Sequence, residues 1–230
     1  MSARFEELDW QQTPMGELSL RRRFDPVLGV DVFEAILNDE HLMSTYFTVA
    51  EIELAHLALA AVDGSDLDVL VGGLGLGYTA QAVLSHDRVR SLTVVEAVDT
   101  VVDWHRRGLL PISAELVSDP RLSIDVGDFF AWVRADEVTR TFDAIIVDID
   151  HSPGHHLHPS HASLYTEAGI RAMRRHLSPG GAFALWSDDP PEPGFTAVLA
   201  AVFDEVRAEV VAFDNPLTGG RSANSVYIAR

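Results

Sequence analysis

The chain has 230 residues, of which 47% are hydrophobic and 23% charged, a balance typical of a globular protein with one substantial core. It contains no cysteine and no lysine, which excludes disulfides, thiolate metal sites, a Schiff-base lysine and the lysine of a P-loop nucleotide site. The net charge of −18 argues against a nucleic-acid partner, because phosphate binding requires a basic surface, and it suits a cationic substrate.

The sequence gives no sign of membrane insertion or secretion. No apolar run reaches the roughly 18 residues that a membrane-spanning helix needs. The first seven residues are acidic on balance and lack the apolar core of a signal peptide. We therefore expect a cytoplasmic protein with no membrane partner.

The N-terminal part has the pattern of a small antiparallel sheet. Residues 16–21 and 29–37 alternate between apolar and polar side chains, and the turn signal Asn38-Asp39 precedes a further short run at 41–44. We predict a small sheet over residues 16–44. The sequence of residues 48–51 has the form of a capping box and predicts the start of a helix.

Five apolar runs of strand length follow, separated by stretches with helical character. They cover residues 67–71, 92–96, 122–126, 142–147 and 182–186, with helices at about 165–177 and 195–205 among the stretches between and after them. The runs 206–213 and 225–229 predict a closing antiparallel pair. Strands that alternate with helices predict a doubly wound α/β sheet, here of seven strands. We expect a small β element at residues 1–47 and a nucleoside-binding catalytic domain at residues 48–230.

A glycine-rich turn follows the first of these strands. Gly73, Gly75 and Gly77 alternate with apolar residues, and the helix-competent residues 79–84 come next. Such a turn lets the backbone and the free N–H groups of a helix approach a ligand closely. Glycines also cluster for packing alone, so the turn by itself leaves both interpretations open.

Polar residues at other strand ends favour a ligand site. Glu96, Gly127-Asp128 and Asp148 end three predicted strands, and ligands of such sheets collect at the carboxyl ends of the strands. Glu96 is placed to accept hydrogen bonds from ribose hydroxyls or to cap the following helix. Asp128 is equally suited to an adenine amino group and to a helix cap. Together they predict an adenosine-containing ligand, with NAD as second choice because the glycine spacing is tighter than in NAD sites.

Residues 150–161 hold five of the ten histidines together with two prolines and a glycine. His-x-His spacing can chelate a metal ion. A loop that covers the substrate and a plain solvated loop are the alternatives, and we expect a mobile loop without a metal.

Taken in order, these stretches resemble the motifs of spermidine synthases, the polyamine aminopropyltransferase branch of the class I S-adenosylmethionine-dependent methyltransferase-like superfamily. The matching stretches are VLVGGLGLGYT at 69–79, VE at 95–96, VGD at 126–128, FDAIIVD at 142–148, LYT at 164–166 and LSPGG at 177–181. The resemblance covers roughly residues 15–230. It implies a Rossmann-like, methyltransferase-like fold and a transferase of polyamine biosynthesis that acts on a small amine.

The resemblance also implies roles for individual residues. Glu96 would bind the ribose, Asp128 the adenine, and Asp148 would take the proton from the attacking amine. The implied catalytic residues are Asp148 and Asp150, the implied donor-binding residues are Gly73, Gly75, Gly77, Glu96, Gly127 and Asp128, and the implied substrate-binding residues are His151 and Tyr165. The donor would be S-adenosylmethionine or decarboxylated S-adenosylmethionine, and the family resemblance together with the small sheet favours a homodimer.

The sequence departs from the family pattern at several points. Gly75 stands where the family has an aspartate that holds the donor's ammonium group. His151 occupies the position of the second acid in the family's Asp-x-x-Asp motif, and Asp150 is the residue before it. His41 corresponds approximately to a glutamine that lies near the donor in the family. The family's Tyr-His-Glu is not found around residues 50–53. Aminopropyl transfer, methyl transfer and non-catalytic binding of a thionucleoside are therefore all carried forward.

Overall fold

The computed structural model describes residues 5–230, so residues 1–4 of the predicted N-terminal element lie outside the described part. The chain begins with a four-stranded antiparallel sheet of β1 (Phe5–Thr13), β2 (Gly16–Asp25), β3 (Val30–Leu37) and β4 (Glu40–Ser44), in that order. The predicted small sheet is present, but it begins at Phe5 and not at residue 16 as expected. Its first strand was missed because β1 is largely polar and exposed, and so gives little alternation to detect.

The second sheet has seven strands, as predicted. They are β5 (Leu67–Gly72), β6 (Val89–Glu96), β7 (Leu122–Val126), β8 (Phe142–Val147), β9 (Leu177–Ser187), β10 (Val206–Asn215) and β11 (Gly220–Ala229). Their order in the sheet is β10-β11-β9-β8-β5-β6-β7. The strands β9, β8, β5, β6 and β7 are parallel, and β10 and β11 close one edge as the antiparallel pair. The predicted α/β fold is confirmed.

The helices connect these strands. They are α1 (Val49–Ala60), α2 (Tyr78–Leu84), α3 (Asp99–Arg106), α4 (Ser113–Ser118), α5 (Phe129–Arg134), α6 (Glu167–Arg174) and α7 (Pro193–Ala200), with a short 3₁₀ helix at Pro159–Ser163. The short helix α4 was not predicted, and α6 and α7 are shorter than expected. Within residues 5–230, none of the helices combines the length and the apolar character that crossing a bilayer would require.

The expected capping box at the start of α1 is wrong. Thr48 is the N-cap residue, but its side chain makes no capping hydrogen bond. Glu51, which would have completed the box, instead lines a cavity beside Asp148. Tertiary contact with α2 and the sheet decides where this helix lies, so the local capping signal was misleading.

The two sheets share one hydrophobic core. Leu18, Leu20 and Ala35 from the small sheet are buried in the same cluster as Leu54 of α1 and the inner residues of the large sheet. The expected boundary after residue 47 falls between β4 and α1. It stays a prediction that these parts are separate domains.

Candidate active site

A cavity of about 350 Å³ lies where the carboxyl ends of the central parallel strands meet the small sheet. Most of the predicted site residues line it: Gly73, Gly75, Gly77, Glu96, Asp128, Asp148, Asp150 and His151. Gly127 and Tyr165 are not among its lining residues. The sheet order explains the convergence, because β8, β5, β6 and β7 are neighbours and their ends form one edge.

The glycine turn is packed tightly against the end of β8. Gly73 has a φ of +94°, and its N–H donates to Val95 O at 2.9 Å. A Cβ at this position would lie 2.1 Å from Asp148 O, so a side chain has no room. The packing interpretation therefore accounts for Gly73, since the chain itself makes the close approach.

Glu96 ties the turn to the end of β6. Its side chain is buried, Oε2 accepts a hydrogen bond from Leu74 N at 2.8 Å, and Oε1 accepts one from Val98 N at 2.8 Å. Burial raises the pKa of Glu96, while the backbone N–H groups that point at it act in the opposite direction. Val98 is the N-cap residue of α3, so the carboxylate also supports the start of that helix. Each oxygen keeps a second lone pair for a ligand hydroxyl.

Asp128 is the N-cap of α5. Its Oδ1 accepts a hydrogen bond from Ala131 N at 3.0 Å, and the residue also lines the cavity. The structure thus shows the cap, and the adenine contact stays a prediction. Gly127 N donates to Glu96 O at 2.9 Å, which places Gly127 in the backbone pairing of the strand ends.

Asp148 lies at the floor of the cavity. Its N–H donates to Gly72 O at 2.9 Å, and its Oδ2 accepts a hydrogen bond from Thr79 Oγ1 at 2.6 Å. Burial raises the pKa of Asp148 to about 6. Near neutral pH, Asp148 is therefore mostly ionised yet basic enough to accept a proton, which suits a general base.

Sequence analysis missed the role of Glu51 as a cavity residue. Burial, and next the charge of Asp148, raise the pKa of Glu51 well above the ordinary value for a glutamate. These surroundings therefore favour the protonated form of Glu51. No local signal distinguishes such an acid from the last residue of a capping box, because both follow the helix start by three residues.

Asp150 holds the histidine-rich loop in place. Its side chain is buried, with Oδ1 accepting from Leu157 N at 2.7 Å and pairing with His161 Nδ1 at 2.8 Å. Its Oδ2 accepts from the Tyr165 hydroxyl at 2.8 Å. Burial and the charge of Asp150 raise the pKa of Tyr165. These hydrogen bonds anchor the loop that we expected to be mobile. Tyr165 is not a lining residue of the cavity, so its contact with a substrate stays a prediction.

The histidines of this loop lie in pairs or stack on other aromatic rings. His151 and His155 have ring centroids 4.9 Å apart, and His161 stacks on Phe130 at 3.8 Å. Across residues 5–230, no three acidic or histidine side chains are arranged to hold a metal ion. A second cavity of about 260 Å³ lies between the loop and the β3–β4 turn with His41. Leu157, His158, Ser160 and His161 of the loop also line the main cavity. That the loop covers a substrate stays a prediction.

The part of the cavity wall that the small sheet contributes next to the glycine turn is apolar. Gly75 has a φ of +50°, and a Cβ there would lie 2.8 Å from Met43 Sδ. Met15, Leu37 and Leu42 line the cavity on the same side. The position that the resemblance assigns to an acid thus faces a thioether.

Comparisons with known proteins agree with the resemblance. Residues 48–193 match the model of the spermine/spermidine synthase domain. The chain is 30% identical over 168 residues to a polyamine aminopropyltransferase of Prochlorococcus marinus, covering 72% of this chain and 54% of that protein. It is 32% identical over 128 residues to putrescine N-methyltransferase 3 of Nicotiana tabacum, covering 56% of this chain and 32% of that protein. The chain thus spans about half or less of the curated relatives it matches.

Solved structures show the same fold. A spermidine synthase in complex with the transition-state analogue AdoDATO superposes with a TM-score of 0.75 at 23% identity, covering 97% of this chain and 73% of that one. The spermidine synthase of Thermotoga maritima gives a TM-score of 0.74 at 23% identity, covering 97% and 71%. At this identity the likeness is one of fold, which is the methyltransferase-like fold expected from the motifs.

Proposed function

Since the chain belongs to the spermine/spermidine synthase domain family, we propose that it transfers an aminopropyl group from decarboxylated S-adenosylmethionine to an amine. The geometry of Asp148 is the observation that carries the proposal. This carboxylate lies beside the glycine turn, with a raised pKa of about 6 and one oxygen held by Thr79. A base placed in this way serves a reaction in which an amine loses a proton as it attacks.

The proposed reaction is a direct displacement at carbon. The amine nitrogen forms a bond to the carbon beside the sulfonium while the carbon–sulfur bond breaks. The electron pair of the broken carbon–sulfur bond stays on sulfur, so the donor leaves as a thioether nucleoside. The proton of the attacking amine passes to Asp148. Most of the rate enhancement comes from holding nitrogen, carbon and sulfur in line, and the base adds to it.

The donor's nucleoside is proposed to lie along the glycine turn. Glu96 and Asp128 line the cavity beside this turn, which supports the proposal that Glu96 accepts hydrogen bonds from the ribose hydroxyls and Asp128 one from the adenine amino group. The proposed acceptor is a small amine that enters beside Asp148 and His151. The acidic surface of the chain favours its approach, since opposite charges raise the encounter rate.

Methyl transfer from intact S-adenosylmethionine is the second candidate. The wall at Gly75 and Met43 carries no acid, so it lacks a charge that would repel the donor's carboxylate. An aspartate there would oppose that carboxylate by up to roughly 4 kcal/mol at contact, at an effective dielectric constant of about 20.

One experiment separates the candidates. The protein is incubated with 1,4-diaminobutane and either donor, and the nucleoside product is identified by mass spectrometry. Methylthioadenosine from the decarboxylated donor supports aminopropyl transfer, and S-adenosylhomocysteine from the intact donor supports methyl transfer. Tight binding of methylthioadenosine by calorimetry without turnover of either donor contradicts both and favours a non-catalytic binding protein.

We also propose a homodimer and a cytoplasmic location. The small sheet exposes Trp10, Phe24 and Val27, apolar side chains that a partner could cover. Sedimentation that shows only a monomer at micromolar concentration would contradict the dimer, and recovery of the native protein in a membrane fraction would contradict the location.

A further inference from the structure

We propose that Glu51 and Asp148 form a carboxyl pair that shares one proton and binds a primary ammonium group. The pair would thereby supply the negative charge that the glycine turn lacks at Gly75. The inference rests on the proposed function, because the ammonium group is the one carried by the donor's tail or by the amine acceptor.

Three elements bring the two acids together. Glu51 is in the first turn of α1, Asp148 follows β8, and Thr79 is in the first turn of α2. Thr79 Oγ1 donates to Asp148 Oδ2 at 2.6 Å and lies 3.4 Å from Glu51 O. Both acidic residues line the main cavity, so a ligand in the cavity lies beside the pair.

One carboxylate oxygen of the pair lacks a hydrogen-bond partner among residues 5–230. Glu51 Oε2 is shielded from solvent, and within residues 5–230 it has no hydrogen-bond partner. A shielded polar atom without a partner is unfavourable, and native structures contain few of them. A ligand N–H group in the cavity would satisfy it.

The pair also lacks a counter-charge. The titratable groups that face Glu51 are the Asp148 carboxylate from the end of β8 and the Tyr78 phenol from α2. Among the salt bridges of residues 5–230, none involves Glu51 or Asp148. Two adjacent carboxyl groups without a cation keep one proton between them, and an ammonium ion that enters displaces that proton.

The cavity wall at Gly75 and Met43 has no acidic side chain that could bind the ammonium group instead of the pair. A side chain at Gly75 would meet Met43 Sδ, and the neighbouring residues on that side are apolar. Glu96 lies at the other end of the turn, where its oxygens already accept from Leu74 and Val98. An ammonium group near the sulfonium would therefore find its charge at Glu51 and Asp148.

The test uses calorimetry on the whole chain and on the variants Glu51→Gln and Glu53→Gln. Glu53 is on the same helix and does not line the main cavity, which makes it the matched control. One arm compares decarboxylated S-adenosylmethionine with methylthioadenosine, which lacks the ammonium-bearing tail. The other arm titrates 1,4-diaminobutane in the presence of methylthioadenosine. Each is run near neutral pH in two buffers with different ionisation enthalpies, so that proton release is measured.

For the unaltered protein, we expect release of about one proton per ammonium group bound, since the shared proton must leave. Glu51→Gln should abolish this release and weaken the ammonium-bearing ligand by about tenfold or more, with methylthioadenosine unaffected. The arm that shows the loss identifies whether the donor or the acceptor supplies the ammonium group.

Three results would overturn the inference. They are no proton release by the unaltered protein, equal affinity of the unaltered protein and a folded Glu51→Gln variant in both arms, or an equal loss in Glu53→Gln. Failure of the unaltered protein to bind methylthioadenosine would instead contradict the proposed function, so the two failures are distinguishable.

Discussion

Two glutamates that line the cavity differ in how many hydrogen-bond partners the protein gives their carboxylate oxygens. Glu96 has both carboxylate oxygens bonded to backbone N–H groups, from Leu74 and from Val98. Glu51 has one shielded oxygen with no partner among residues 5–230, and its neighbour Asp148 is another acid. We call the side of the glycine turn the complete side, because the backbone supplies a partner for each carboxylate oxygen of its glutamate. The side of α1, in contrast, has one carboxylate oxygen for which residues 5–230 supply no partner.

This difference separates structural from chemical roles. Where the protein supplies every hydrogen bond, a substitution disturbs the fold and the ligand site together. Where a ligand supplies the missing partner, an isosteric substitution should alter binding or turnover and leave folding nearly unchanged. The predictions below test each side in turn.

The largest effect on stability is expected for Gly73→Ala, on the complete side. The new Cβ would lie 2.1 Å from Asp148 O, and φ is +94°. Overpacking costs about 1–3 kcal/mol and a left-handed conformation about 1–2 kcal/mol more, so the free energy of unfolding should fall by about 2–5 kcal/mol. Chemical denaturation measures it.

Gly127→Ala is the matched control for Gly73→Ala. Nothing lies within 4 Å of a Cβ at this position, and its φ is not in the left-handed region. Its unfolding free energy should stay within about 1 kcal/mol of the original, as for a Gly-to-Ala change that the backbone tolerates. Equal stability of the two variants would contradict the close packing of the turn on β8.

Asp148→Asn tests the other side. The amide is nearly isosteric and cannot accept a proton, so turnover should fall by about a hundredfold or more, the usual scale for general base catalysis. The affinity for methylthioadenosine, which lacks the ammonium-bearing tail, and the thermal unfolding of the variant should change little. Steady-state kinetics with a defined amine, calorimetry with methylthioadenosine and thermal denaturation measure the three quantities.

The pH profile provides the control for this variant. Since the pKa of Asp148 is raised to about 6, a base at this position is protonated below that pH. Turnover of the unaltered protein should therefore fall by about tenfold per pH unit below pH 6, and this acid limb should be absent in Asp148→Asn. Unchanged turnover in the variant would show that Asp148 is not the base.

The sequence was a good guide to the fold and to the residues that follow the strand ends. Alternation of apolar runs with helical stretches predicts the seven-stranded sheet, and the strand ends place Glu96 and Asp148 at one edge. These features follow from local pattern and from topology. Their convergence needs no knowledge of side-chain orientation.

Apart from the position of Asp148, the other side could not be predicted, because its geometry depends on how distant elements pack. Glu51 has the sequence signature of a capping box and becomes a cavity residue only when α1 lies against α2 and β8. Met43 reaches Gly75 only because the small sheet packs on the main core. The sequence suggests Asp150 as a second catalytic acid. In the structure its three hydrogen-bond partners come from residues 157–165, and no local pattern announces them.

Glu96→Ala tests whether the complete side also binds the ligand. Loss of hydrogen bonds to a charged group should weaken methylthioadenosine by about 1.5–3 kcal/mol. Leu74 N and Val98 N lose their acceptor as well, so the unfolding free energy must be measured beside the affinity. Unchanged affinity in a folded variant would contradict the assignment of Glu96 to the ribose.

The smallest expected effect decides between the two roles of Asp128. Its Oδ1 caps α5 through Ala131 N, and its second oxygen is the proposed acceptor for the adenine amino group. Asparagine caps a helix about as well as aspartate, so Asp128→Asn should leave the unfolding free energy within about 0.5 kcal/mol of the original. Its NH₂ group can only donate, however, and would face the amino group of adenine. Methylthioadenosine should then bind about fivefold to tenfold more weakly, the effect of one hydrogen bond.

Asp128→Ala is the contrasting variant, because it removes the cap and should lower the unfolding free energy by about 1 kcal/mol. If Asp128→Asn binds the nucleoside as tightly as the original chain, Asp128 is a helix cap alone and the adenine must find its acceptor elsewhere.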